Sequence, residues 1–373
     1  MKVQVLQENL SKTLSSVSRF TSSRAQLPIL ANLLLVAKAN KLIISATNLE
    51  NSISATVGAK VDKEGEITIP ARTISELVSN LNPGPITLES EKEQLKIANK
   101  GFSSTLMGVN SADFPSVPQK IEKEFYTLEK NILSEAMSQL LFAVSNDETR
   151  PILTGVLFIF SKNGVTLVAT DGFRLSKKVV QAKSLPKESR VILPRGILLE
   201  VARLSPDSED ISYSFKDKDN MVVFKVGESI LSSRILQGEF PDFEKIIPNS
   251  SDISVLVGKE DLLQAVKLAS VFARDSANIV KFLIKKDEVE VLAESAASGN
   301  QKTSVEAKID SSVGLTKDGI YLEIAFNYHF LEDFLQAVDG EEIKINFSSA
   351  NSPGVFTDPK DNSFLHLIMP VKI

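Results

Sequence analysis

The chain repeats itself, and this constrains its fold more than any single motif. LPILANLLLVAKANKLIISATNLE (27–50) returns as RPILTGVLFIFSKNGVTLVATDGF (150–173). Pro28 and Pro151 are 123 positions apart, as are Thr47 and Thr170. Each copy reads as two strands joined by a polar turn, then a Thr-Asn or Thr-Asp loop. A fainter third copy, NIVKFLIKKDEVEVLAESA (278–296), places Asp287-Glu288 at the turn.

The flanking segments keep the same phase. VQVLQENLSKTLSSVSRF (3–20), YTLEKNILSEAMSQLLFAV (126–144) and ISVLVGKEDLLQAVKLASVF (253–272) each read as a strand followed by a helix. Leu10, Leu14 and Val17 recur at i, i+4 and i+7 in the first helix, and Leu262, Val266 and Ala269 form one stripe in the third. The middle helix is placed over 131–145, a stretch without a basic residue. A second strand-then-helix pattern recurs at 67–81, 191–204 and 322–338, with Pro70 and Pro194 near two helix starts, where a missing N–H costs little. The expected fold is α+β, three repeats of two helices and about eight strands over 1–120, 125–250 and 252–373. Linkers fall near 116–125 and 248–253, where Pro118, Pro248, Asn249, Ser250 and Ser251 cluster.

A hydrophobic content of 43% with 24% charge describes a globular chain. No apolar run approaches the roughly 18 residues of a membrane span. Residues 1–20 lack a secretory leader pattern, so the expected location is the cytoplasm, with no membrane partner. Without cysteine there is neither a disulfide nor a thiolate nucleophile. The two histidines, His329 and His366, stand apart from any nucleophile–base pattern, and no G-x-S-x-G or Gly-rich phosphate loop occurs. Asp171 lacks a carboxylate or histidine partner at ligand spacing and reads as a turn cap. No catalytic residue, metal or cofactor is expected.

Charge is unevenly spread. Residues 1–120, 121–250 and 251–373 carry +3, −1 and −7, within a total of −5. A basic end and an acidic end favour head-to-tail association. An acidic chain is a poor candidate for tight, purely electrostatic DNA binding.

LPILANLLL (27–35), VATDGFRLS (168–176), GEFPDFEKIIP (238–248) and IMPVKI (368–373) occur in an order and spacing that resembles the bacterial DNA polymerase III beta subunits, the replicative sliding clamps. The resemblance covers essentially the whole chain. It implies a head-to-tail homodimer forming a closed ring of six similar clamp domains around double-stranded DNA, without sequence specificity. Implied partners are the replicative polymerase alpha subunit, a clamp-loader complex, and other polymerases and repair proteins carrying clamp-binding peptides. Enclosure also answers the acidity, because a closed ring needs only weak, diffuse phosphate contacts. Basic residues expected near the hole are Lys12, Arg24, Arg72, Arg150, Arg195, Arg203, Lys267 and Arg274.

The resemblance also implies a groove for an extended apolar peptide. The matching residues are Leu153, Thr170, Gly172, Phe173, Arg174 and Leu175, then Pro241, Lys245 and Ile246. Asn278, Asn327, Phe330, Ala350 and Ser352 follow, then Leu367, Ile368, Met369, Pro370, Val371 and Lys372. A flexible Met among apolar side chains suits a site that admits several related peptides, and the MPVKI backbone can pair with an extended ligand. The sequence departs from the family at Phe173 and Phe330, where His and Tyr are familiar, at Asn278, and in ending MPVKI rather than MPMRL. Phe102 and Phe272 are the expected apolar contacts between protomers. A repeat-built scaffold that binds peptides without surrounding DNA fits the same periodicity, because ring closure is a geometric property.

Overall fold

The computed structural model describes residues 1–22, 27–162, 164–181, 185–205 and 210–372. The first repeat opens with β1 (Lys2–Leu6) and α1 (Gln7–Val17), followed by β2 (Asn32–Lys38), β3 (Lys41–Thr47), β4 (Asn51–Gly58), β5 (Lys60–Lys63) and β6 (Gly65–Pro70). It closes with α2 (Ala71–Ser79), β7 (Pro85–Glu91), β8 (Gln94–Asn99) and β9 (Phe102–Met107). The second repeat runs β10 (Tyr126–Glu129), α3 (Lys130–Leu140), β11 (Gly155–Ser161), β12 (Gly164–Thr170) and β13 (Arg174–Val180). It continues through β14 (Ser189–Pro194), α4 (Arg195–Leu204), β15 (Asp210–Lys216), β16 (Met221–Val226) and β17 (Ser229–Arg234).

The third repeat has β18 (Ile253–Gly258), α5 (Lys259–Ala273), β19 (Ile279–Ile284), β20 (Glu288–Ser295) and β21 (Gly299–Ser311). Then come β22 (Leu322–Asn327), α6 (Tyr328–Ala337), β23 (Glu342–Phe347), β24 (Gly354–Asp358) and β25 (Asp361–Ile368). Every expected strand–helix step is present among the described residues. Local chemistry sets the turns: Ala39 and Asn40, between β2 and β3, both have positive φ, as a tight two-residue hairpin with right-handed strand twist requires.

Two details differ from the sequence-based reading. Helix α3 begins at Lys130, directly after β10, so it does carry a basic residue. It also stops at Leu140 and tightens into a 3₁₀ turn over Leu141–Ala143. The reason is burial: Leu140, Leu141, Ala143 and Val144 are all buried, a nearly continuous apolar run that one helix face cannot hide. Matching 3₁₀ turns over Pro28–Ala31 and Pro151–Thr154 precede β2 and β11, a repeated feature that periodicity did not signal.

The chain condenses into two compact units. The first, Met1–Lys130 with Gly196–Ile235, holds a five-stranded sheet (β5-β1-β7-β8-β9) and an eight-stranded one (β10-β15-β16-β17-β4-β3-β2-β6). The second, Asn131–Arg195 with Leu236–Ile373, holds one twelve-stranded sheet (β14-β11-β12-β13-β25-β24-β23-β18-β21-β20-β19-β22). Each larger sheet joins strands from two repeats. In the first unit β17 pairs antiparallel with β4, Ser229–Ser233 against Asn51–Ala55. In the second, β25 pairs antiparallel with β13, Phe364–Ile368 against Arg174–Lys178. Since β4 and β13 are equivalent, as are β17 and β25, the same junction has been built twice.

The corresponding strands left over are β9 and β21. Strand β9 ends its sheet. Gly299–Glu306 of β21 pairs with β20 alone among the described residues.

The main core of the second unit lies between α5, α6 and the third-repeat strands and is rich in phenylalanine. Phe334 of α6 is wholly buried and packs against Phe356, Phe364 and His366. Phe334→Ala is expected to destabilise the fold by about 3–5 kcal/mol, the usual cost of such a cavity. Denaturant melts of wild type and variant would measure it.

Candidate functional site

The Thr170–Arg174 turn between β12 and β13 is locked by its own side chains. Thr170 Oγ1 donates to the Arg174 carbonyl at 2.6 Å and accepts from the Gly172 N–H at 3.1 Å. Asp171 accepts from the N–H groups of Phe173 and Arg174, the capping role expected of it. Gly172 has φ of 96°, a conformation glycine adopts freely, and a Cβ there would meet the Arg150 guanidinium at 3.1 Å. Phe173 is thereby presented outward, 61% exposed.

The Phe173 carbonyl accepts from the Met369 N–H at 2.8 Å, which carries the β13·β25 pairing past Ile368. Val371 N–H then donates to the Ala325 carbonyl at 2.8 Å. Met369 is exposed, and Lys372 lies beyond it on the surface.

Arg174 turns inward, its side chain only 10% exposed. Its Nε donates to Asp171 at 3.0 Å, and its two terminal nitrogens donate to Asp333 of α6 and to the Phe142 carbonyl. The guanidinium lies 4.5 Å from the Phe330 ring centre and 5.4 Å from that of Phe142. Sequence reading identified Arg174 and Phe330 but missed Phe142 and Asp333. Only the packing of α6 and the turn after α3 against β13 brings them together, and no local pattern signals it.

The remaining expected peptide residues fall into distinct settings. Leu153, Leu175, Leu367 and Ile368 are buried and form the floor rather than the surface, with Leu175 and Leu367 directly paired and packed with Phe243. Pro241, Lys245 and Ile246 are exposed around the Phe243–Ile246 3₁₀ turn, where Lys245 pairs with Asp242 at 2.8 Å. Asn327 caps α6, accepting from the His329 N–H, and the Asn278 carbonyl accepts from the Tyr328 N–H. Ala350 and Ser352 lie in the turn before β24, where the Ser349 and Ser352 hydroxyls are 2.8 Å apart.

Beneath the turn, His366 is fully buried between Phe142 and Phe334, with Nδ1 2.8 Å from the Ser176 hydroxyl. Burial, reinforced by the nearby Arg174 charge, holds its pKa well below the usual imidazole value. It is a neutral structural group. His329, on α6, lies beside Tyr328, the two rings tilted with centres 4.0 Å apart. Lys178, also buried, pairs at 2.7 Å with Glu135 of α3 and Asp361 of β25. Burial alone would raise Asp361, but bonds from Lys178 and Ser363 outweigh it and hold the carboxyl below its ordinary range. Among the described residues no group of acids and histidines could hold a metal ion.

The expected basic residues are dispersed. Arg24 lies outside the described residues. Lys12, Lys267 and Arg274 are exposed. Arg72 pairs with Glu76, Arg150 with Asp147 and Arg203 with Glu200, so each carries a local counter-charge. Arg195 donates to the Leu141 carbonyl at 3.1 Å. Arg19, not singled out from sequence, shares Glu200 with Arg203. Phe102, at the start of β9, is 37% exposed and lines a groove of about 530 Å³ with Leu77 and Leu81. Phe272 is partly buried on α5, beside exposed Leu268 and Val271.

Models of the DNA polymerase III beta subunit match the N-terminal domain at residues 1–118, the central domain at 127–242 and the C-terminal domain at 244–372. Repeat, sheet order and turn geometry therefore belong to a DNA clamp. This chain is a member of the DNA polymerase III beta subunit family, and it acts as a sliding clamp in DNA replication, a processivity factor without catalysis of its own.

Relatives include the "Beta sliding clamp" of Staphylococcus aureus, 28% identical over all of this chain and 99% of that protein. Among solved structures, the DNA polymerase sliding clamp of Bacillus subtilis superposes with a TM-score of 0.93 at 26% identity, covering all of this chain and 99% of that one. The DNA polymerase III beta subunit of Thermotoga maritima gives 0.91 at 26%, with the same coverage. No helix among the described residues is long and apolar enough to cross a membrane.

The buried imidazole makes stability depend on pH. An unfolded chain protonates His366 near 6.5 while the folded one does not, so stability is full above that pH and falls below it. The loss from this group therefore grows as pH falls from 6.5 toward 5. His366→Gln is expected to lessen it, as thermal melts across that range would read.

Proposed function

We propose that the clamp is a head-to-tail homodimer whose six domains close a ring around duplex DNA. The observation that carries this reading is the pair of open strand edges, β9 and the Gly299–Glu306 half of β21. They are the counterparts of the strands that make the β17·β4 and β25·β13 junctions, so a second copy can complete a third junction of the same kind. An unpaired strand edge exposes hydrogen-bonding groups that such pairing satisfies. The net charges of +3 at one end and −7 at the other support the same polarity. Phe102 on one protomer and Phe272 on the other supply apolar contact.

The domains are taken as 1–120, 125–250 and 252–373. Lys12, Arg72, Arg150, Arg195, Arg203, Lys267 and Arg274 are assigned to loose phosphate contact, and Arg24 with them by position. Strong contacts would hinder sliding, and the carboxylates beside Arg72, Arg150 and Arg203 weaken each one. The turn at Phe173, with Met369 and Ile246, receives short extended peptides. Their carriers are the replicative polymerase alpha subunit, the clamp loader, and other polymerases and repair proteins, all in the cytoplasm.

Light scattering is expected to give twice the 40.7 kDa chain mass. Phe102→Asp is expected to move it toward a single chain, and an unchanged dimer would place the seam elsewhere. Loaded clamp is expected to stay on a nicked circular plasmid and to be lost when the plasmid is cut. Equal retention on both forms would favour the scaffold reading.

A further inference from the structure

Arg174 is nine-tenths buried, and three of its five N–H donors are spent inside the protein. One N–H from each of its nitrogens goes to Asp171, Asp333 or the Phe142 carbonyl, two carboxylates offset its charge, and aromatic rings lie against it. A guanidinium held this way has much of its charge and donor capacity already answered within the protein. It fixes the position of the Phe330 ring, 4.5 Å away.

The other junction shows that sheet joining does not require such an arrangement. Position by position, Arg174 corresponds to Asn51, Phe142 to Arg19 and Asp333 to Glu200. The turn itself is preserved: Thr47 Oγ1 donates to the Asn51 carbonyl and accepts from Leu49 N–H, and Arg234 N–H donates to the Glu50 carbonyl as Met369 does to Phe173. There the ion pair runs between Arg19 and Glu200, and among the described residues no aromatic ring lies over the Arg19 guanidinium. The ring-lined guanidinium is therefore particular to the turn that presents Phe173.

We propose that Asp333 is a positioning residue of the peptide site. With Asp171 it keeps Arg174 internally neutralised against Phe330, so that the site selects an apolar peptide end and rejects an acidic one. This rests on the reading of the Phe173–Met369 surface as the peptide site. Asp333 is 41% exposed on its side chain, so its replacement leaves the core intact.

The test is fluorescence anisotropy on the full-length protein with two labelled probes, Ala-Leu-Ala-Leu-Phe and Ala-Leu-Ala-Leu-Asp. Wild type is expected to bind the first and not the second, with little dependence on salt. Asp333→Asn frees part of the guanidinium. It is expected to weaken the Phe probe about tenfold and to create salt-sensitive binding of the Asp probe. Asp333→Glu is expected to restore wild-type preference.

A variant that weakens both probes equally, or neither, would overturn the positioning role while leaving the peptide site standing. Wild type that binds neither probe would overturn the peptide site itself. Thermal melts of each variant check that the fold is retained.

Discussion

Antiparallel pairing between repeats is the constraint on which this structure depends. A repeat of about 120 residues cannot bury the edges of its own sheets, and an open edge is an unpaired row of donors and acceptors. The chain covers two such edges internally, through β17 on β4 and β25 on β13. Compact units therefore cut across the repeats instead of following them. The helices that begin at Lys130 and Arg195 sit at the unit boundaries for the same reason.

The two internal junctions share a backbone plan and differ in chemistry. At one, the Ser52 and Ser232 hydroxyls meet across the ladder at 2.6 Å. At the other, Ser176 meets a buried neutral His366. Around the first the side chains of the turn are charged, Glu50 and Arg234. Around the second they are Phe173 and Met369, apolar and exposed. The same backbone plan thus carries a charged surface at one junction and an apolar one at the other.

Much of the fold was legible in sequence because strand and helix periods are local and the 123-residue offset checks each one against its copy. The turn at Asp171 was legible for the same reason, since Asn and Asp side chains cap their own backbone. What could not be read was anything set by packing between distant segments. The ring of groups around Arg174 joins positions 142, 171, 330 and 333. Leu367 and Ile368 are expected among the groove residues, and the structure buries both in the core. The early end of α3 follows from the consecutive apolar residues at 140–144, which a helical wheel treats as one face too wide.

Covalent continuity has a consequence for how such a clamp opens. The strands of the β17·β4 and β25·β13 ladders are held near each other by the chain that links them, so after any local separation they meet again at high effective concentration. The proposed seam between two chains, from the edges of β9 and β21, has no such tether. Its re-formation depends on dilution alone once both seams are parted. In the ring proposed above, the place without a covalent tether is the seam between chains. Phe102, assigned to that seam, lies outside the two ladders that hold each protomer together.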